Sequence, residues 1–191
     1  GSAYGLSSRL LCMRHEWLKA YWYGRKAVNI TRSAIKADPN LYDAYLGVGM
    51  YDYYTDVYQK VVGVLAKVLF GGDRLRGIKT LQLVAEKGRY SKVAAQLLLV
   101  EIYNTDAFGA ANPEEAVKIM KEVRPRYPDS AMLFAAELVS LYEAKKYEEV
   151  VAGAQVYLQR VKEGKYRPIE LAKGNVIYGT ALWALKQKEK A

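Results

Sequence analysis

Two segments of this chain stop a helix in the same way, 89 residues apart, and that spacing restricts the fold more than any other feature of the sequence. Ser33-Ala34-Ile35-Lys36-Ala37-Asp38-Pro39-Asn40 puts Ala34 five residues before Pro39, and Met120-Lys121-Glu122-Val123-Arg124-Pro125-Arg126-Tyr127-Pro128-Asp129 puts Val123 five before Pro128. Each proline sits just past an apolar-periodic stretch, where its fixed φ and missing N–H end propagation. A new amphipathic stretch follows each stop: Tyr42 to Tyr51 after the first, then Phe134, Leu138, Leu141 and Tyr142 after the second. A separation of 89 residues holds two helical-hairpin periods of ~34 residues and a surplus of about 21.

The surplus has visible homes. After Tyr54 the chain runs from Val57 to Phe70 before Gly71-Gly72-Asp73 restarts a repeat-like helix with Gly77, Leu81 and Val84. A smaller excess, Asn104-Thr105-Asp106-Ala107-Phe108-Gly109, precedes Asn112-Pro113-Glu114-Glu115, where Asn112 is a good N-cap and Pro113 a good first helical residue. Periodicity and these signals predict helices near 4–22, 25–37, 41–54, 57–69, 73–87, 90–105, 113–125, 130–144, 147–162 and 168–187. Val61-Val62 and Leu99-Val100 are β-prone, but each lies inside a longer helical period, so no strand is expected.

Ala27, Ala34 and Asp38-Pro39, then Tyr45, Val48 and Gly49, then Ala116, Met120 and Pro128 resemble the tetratricopeptide repeat family over most of 24–162. In that pattern a large residue packs into the neighbouring helix while glycine allows close approach. Thr31, Glu137 and Ala154 depart from it, and the last hairpin, about 168–187, lacks a second helix. The stretches 49–54 and 69–78 are also similar to a degenerate subfamily of bacterial exported repeat proteins and of fungal inclusion-body-clearance proteins. The resemblance implies an all-α fold: a right-handed superhelical stack of antiparallel helix hairpins, with an inserted helix near 57–70, as one domain over 1–191. It also favours a bacterial exported or cell-envelope location over the cytoplasm. Gly1-Ser2 reads as an expression scar, so a signal peptide, an anchor or further repeats lie outside what the sequence can exclude.

The formal net charge is +9, which predicts attraction to an acidic peptide, an anionic membrane or nucleic acid without choosing among them. Cations group in 9–36 (Arg9, Arg14, Lys19, Arg25, Lys26, Arg32, Lys36) and in 74–92 (Arg74, Arg76, Lys79, Lys87, Arg89, Lys92). Solvated helix faces account for such groups as well as a functional patch does. Cys12 is the only cysteine, so no internal disulfide can form and the redox compartment stays open.

Little in the sequence suggests catalysis. Cys12 and the single histidine, His15, are three residues apart, but two ligands are too few for a structural zinc. Gly47-Val48-Gly49 does not follow a strand, and no lysine-serine pair follows Gly71-Gly72-Asp73-Arg74, which marks a helix boundary capped by Asp73. Asp43, Asp52 and Asp56 read as charged helix faces rather than an acid–base pair. No enzymatic role, metal or cofactor is expected.

Seventeen tyrosines, densest at Tyr42, Tyr45, Tyr51, Tyr53, Tyr54 and Tyr58, suit either repeat packing or a recognition surface. Mapped by the family pattern, the concave groove is lined by Asp43, Leu46, Met50 and Tyr53, then by Leu97, Glu101 and Asn104. Ala135, Val139 and Tyr142 follow, with Val176, Thr180 and Trp183 near the end. That mixed lining suggests a non-catalytic protein–protein interaction scaffold seating a peptide or protein segment. The alternatives are a peripheral membrane role or nucleic-acid binding through the basic charge. The 57–70 segment, with Lys60 and Lys67 on one face of an apolar helix, offers packing within the chain, a protein partner or lipid. Nucleic acid is disfavoured because basic and aromatic residues do not interleave on one obvious face, and a homo-oligomer can form through an uncapped terminal repeat.

Overall fold

A computed structural model describes residues 1–62 and 71–188, less the side chains at 2, 58–62, 187 and 188. Among the described residues the chain is all-helical, with nine α-helices, two short 3-10 turns and no strand. It divides into two compact units, Gly1–Leu99 and Val100–Ala191.

The first unit begins with α1 (Ser2–Met13) and α2 (Trp17–Ala37). A 3-10 turn (Tyr42–Ala44) leads to α3 (Tyr45–Val62), followed by α4 (Arg74–Lys87) and the first part of α5 (Lys92–Thr105). Successive helices pack as neighbours, α1 on α2, α2 on α3 and α3 on α4. The first helical break falls at 14–16, not between 22 and 25 as the periodicity predicts. There the His15 N–H donates to the Cys12 carbonyl at 3.0 Å and the Glu16 N–H to the Leu11 carbonyl at 2.9 Å. His15 takes a left-handed φ of 59° to allow this. Because the reversal uses neither glycine nor proline, it carries no sequence punctuation. Gly24, at the expected break, lies within α2 against Ser8 of α1, whose hydroxyl donates to the Ala20 carbonyl at 2.7 Å.

The same closure recurs twice in the second unit. Lys145 donates to Tyr142 and Lys146 to Leu141 at 2.9 Å each, and Gly164 donates to Val161 while Lys165 donates to Arg160. These are Schellman turns, in which the N–H of the left-handed residue and the N–H of the residue after it each satisfy an orphan carbonyl of the helix end. Residues 57–62 continue α3 without interruption, so no separate helix starts at 57. The remainder of the expected 57–70 element lies outside the described residues.

The crossing of α3 and α4 is close because two glycines meet there. A β-carbon on Gly77 would stand 2.6 Å from the Tyr53 nitrogen and 2.8 Å from the Gly49 carbonyl oxygen. Leu81 and Val84 fill the interior beside this contact. The glycine role that the sequence assigns to Gly49 is therefore met by a partner glycine on the following helix.

The second unit contains the rest of α5, then α6 (Pro113–Val123), a 3-10 turn (Arg124–Arg126), α7 (Ala131–Glu143), α8 (Tyr147–Lys162) and α9 (Glu170–Lys188). Asn112 caps α6 by accepting from the Glu115 N–H, with Pro113 in its first turn, and Ser130 caps α7 by accepting from the Leu133 N–H. Val117, Phe134, Leu138, Leu141, Val150 and Tyr157 form one interior cluster drawn from α6, α7 and α8. Ala181 of α9 and Tyr166 close it. Ala154, off the family pattern, is fully buried within it. The Tyr157 hydroxyl donates to Glu170 Oε2 at 2.8 Å, and Lys173 Nζ reaches the same oxygen at 2.7 Å. Those two hydrogen bonds hold the Glu170 carboxyl below the usual carboxylate range.

Replacing Gly77 by alanine forces backbone apart at the α3–α4 crossing and should lower stability by about 2 kcal/mol. Gly164→Ala meets no atom within contact distance and is strained only by φ of 72°. It should cost about 1 kcal/mol. Urea unfolding of the two variants beside the parent chain distinguishes steric from conformational loss.

Candidate interaction surface

The second unit aligns α5, α7 and α9. Asn104 near the end of α5 donates from Nδ2 to the Ser140 hydroxyl on α7 at 3.0 Å, and that hydroxyl donates to the Ala136 carbonyl. Ser140 is fully buried. On its other flank α7 packs against α9. The alternation follows from the hairpin rule: α8 turns the chain back, so α7 and α9 meet as neighbours two elements apart.

Helical geometry then fixes what α7 leaves uncovered. Leu133, Phe134, Leu138 and Leu141 face the interior, whereas Met132, Val139 and Glu143 lie on the opposite, exposed arc. On α9, Val176 and Trp183 are one heptad apart and exposed, Trp183 at 64%, with Thr180 between them. Ile169, a heptad before Val176, extends the row. Glu101 is exposed on α5, one turn before Asn104. The half-buried Tyr142 ring lies tilted against that of Tyr147 at the start of α8, with centroids 5.3 Å apart. Ala135 is buried. Met132 and Ile169 escaped the sequence reading because the family mapping assigns neither position to the groove; the heptad spacing to Val139 and Val176 was the available signal.

In the first unit the mapped positions divide. Leu46 and Met50 are half-buried on α3, and Leu97 is half-buried on α5. Tyr53 is 6% exposed and packs edge-on against Tyr54, which places its ring in the interior. Asp43 is engaged: its Oδ1 accepts from the backbone N–H groups of Arg89, Tyr90 and Ser91 at 3.1, 2.9 and 2.7 Å. The carboxylate thereby caps the start of α5 from the 3-10 turn. Its pKa is held below the usual carboxylate range, chiefly by the Ser91 hydrogen bond and further by those from Tyr90 and Arg89.

Asp52 is not on a solvated helix face, as its sequence context suggests. It is 1% exposed on α3 and accepts from Arg76 Nε at 2.7 Å and Nη2 at 2.9 Å, with Arg32 Nη2 at 3.6 Å. One carboxylate thus ties α2, α3 and α4 through a bidentate arginine. Asp56 accepts from the Arg74 N–H at 2.9 Å. Asp73 caps α4 by accepting from the Arg76 N–H, as the sequence predicts. Cys12 is half-buried, and burial pushes its thiol up. Among the described residues no group of three or more His, Cys, Asp or Glu side chains is placed to hold a metal ion, and no helix is long and apolar enough to cross a membrane.

No family model matches this chain, and searches of curated proteins and of solved structures return no match.

Removing the Asp43 cap should cost about 1 kcal/mol, read as a lower urea midpoint for Asp43→Ala. Because the folded carboxyl is more acidic than the unfolded one, its contribution is complete above about pH 4. It is lost as pH falls through the folded value. The difference in stability between the parent and Asp43→Asn should therefore shrink as pH is lowered below 4, and a constant difference from pH 7 to pH 2 would rule out the charged cap.

Proposed function

We propose that this chain is a non-catalytic interaction scaffold of the tetratricopeptide type. In this reading the helix hairpins continue as a right-handed superhelical stack, and the first helix of each hairpin lines a groove that seats a peptide or a partner's helix. The observation that carries the reading is the alignment of α5, α7 and α9 through the Asn104–Ser140 hydrogen bond and the α7–α9 packing, which leaves apolar rows uncovered on adjacent helices. Met132 and Val139 on one helix and Val176 and Trp183 on the other are large apolar contacts at heptad spacing, the form in which an amphipathic helix or an extended segment is read. Aromatic residues such as Trp183 supply most of the binding free energy where they become desolvated. Glu101 and Glu143 flank the rows, so the favoured segment is apolar with basic neighbours.

A peptide library displayed on phage and selected against the full chain tests this directly. Selected peptides should bind the parent and lose at least tenfold in affinity to Val139→Asp and to Trp183→Asp, with unchanged far-ultraviolet circular dichroism. Peptides that bind both variants as well as the parent would place the seat elsewhere, and a selection that enriches no sequence would remove the scaffold reading.

A further inference from the structure

The tip of the α1–α2 hairpin exposes an unusual amount of apolar side chain. Met13 at 71%, Trp17 at 55% and Leu18 at 79% exposure surround the three-residue turn at 14–16. Leu10 and Trp22, also exposed, lie about one helical turn behind it. These side chains do not share a face. The contacts of Ser8 with Ala20 and Gly24 define the side on which α1 meets α2. Leu10 and Met13 project from the far side of α1, while Leu18 and Trp22, four residues apart, project from the far side of α2.

Basic charge is concentrated at the same place. Arg9, Arg14, Lys19, Arg25 and Lys26 accompany a single carboxylate, Glu16, within residues 1–37. Lys19 and Arg14 already hold Glu16 at 2.6 and 3.1 Å. Among the described residues no carboxylate lies within ion-pair distance of Arg9, Arg25 or Lys26. Behind the tip, Tyr4, Trp22 and Tyr23 border an open groove of about 470 Å³ that also presents Arg25, Lys26 and Asn29. Lys26 Nζ stands 4.4 Å from the centre of the Tyr4 ring, which keeps the ammonium at the groove wall.

We infer that this hairpin tip docks on anionic lipid bilayers, inserting Met13, Trp17 and Leu18 into the interface while Arg9, Arg14 and Lys19 meet the headgroup phosphates. Two observations select a bilayer over a protein. Apolar residues that diverge around a tip are all covered by a fluid solvent, whereas a rigid partner would have to wrap the hairpin from both sides. The polar belt also has the composition that interfaces favour: tryptophan and tyrosine at the boundary, lysine and arginine toward the phosphates. Each cation near an anionic surface strengthens binding roughly fivefold, an effect screened by salt. This element is separate from the α5–α7–α9 surface, and neither depends on the other.

The test uses the full chain carrying Trp183→Phe, so that Trp17 and Trp22 are the only tryptophans. It should float with phosphatidylcholine vesicles containing about one-third phosphatidylglycerol, with a blue-shifted tryptophan emission, and fail to float with pure phosphatidylcholine; raising salt to half molar should weaken binding about tenfold or more. Met13→Glu combined with Leu18→Glu, both at highly exposed positions, should abolish flotation with unchanged circular dichroism. Arg14→Glu with Lys19→Glu should weaken it by more than tenfold. Absence of flotation by the parent, equal flotation by the Met13/Leu18 double variant, or a blue shift produced by an acidic amphipathic peptide but not by vesicles would each overturn the inference.

Discussion

Helices of 11 to 21 residues have little independent stability in water, because nucleation is costly and each added residue contributes little. Each helix of this chain therefore depends on a neighbour to cover its apolar flank. The α3–α4 glycine crossing and the Tyr157 cluster are two solutions to that requirement. In the first, two backbones come so close that side chains are excluded, and dispersion between main chains replaces side-chain interdigitation. In the second, aromatic rings fill the space: Phe134 meets Tyr157 at 5.7 Å and Tyr157 meets Tyr166 at 5.2 Å.

Apolar burial alone does not define which helices pair or in what register, and carboxylates held by hydrogen bonds and ion pairs supply that discrimination. Asp52 accepts the fork of Arg76 in a fixed geometry, so a slip of α4 along α3 would strand a charge away from water. Glu170 does the same between α8 and α9 through Tyr157, and Asp43 between the 3-10 turn and the start of α5. Arg124 stacks 4.0 Å from the Phe134 ring centre and pairs with Glu137 at 2.9 Å, where burial pushes the Glu137 carboxyl up against the opposing pull of the arginine. Each arrangement links elements that are distant in sequence but adjacent in space.

This difference in range decides what could be read from the sequence. Asp73, Asn112-Pro113 and the stops at Pro39 and Pro128 act within a few residues, so their local chemistry announces them. The all-helical class followed from the same short-range signals. The turn at 14–16 was hidden because His15 adopts a left-handed conformation that residue type does not announce, and the misplaced break put Met13, Trp17 and Leu18 mid-helix instead of at a hairpin tip. Asp43 and Asp52 were read by their helical neighbours, whereas their partners stand far along the chain. Of the mapped surface, Val139, Val176 and Trp183 are exposed as a helical period requires, while Tyr53 and Ala135 are claimed by packing that a period cannot express.

The three Schellman reversals share one backbone geometry but hold histidine, lysine and glycine at the left-handed position. Main-chain hydrogen bonds close each of them, so the apex side chain bears on the cost of the left-handed backbone but not on the hydrogen-bond pattern. Such an apex is a mounting point: cation, imidazole or no side chain can be exchanged there while the helices on either side keep their registration, which separates what a hairpin displays from what holds it together.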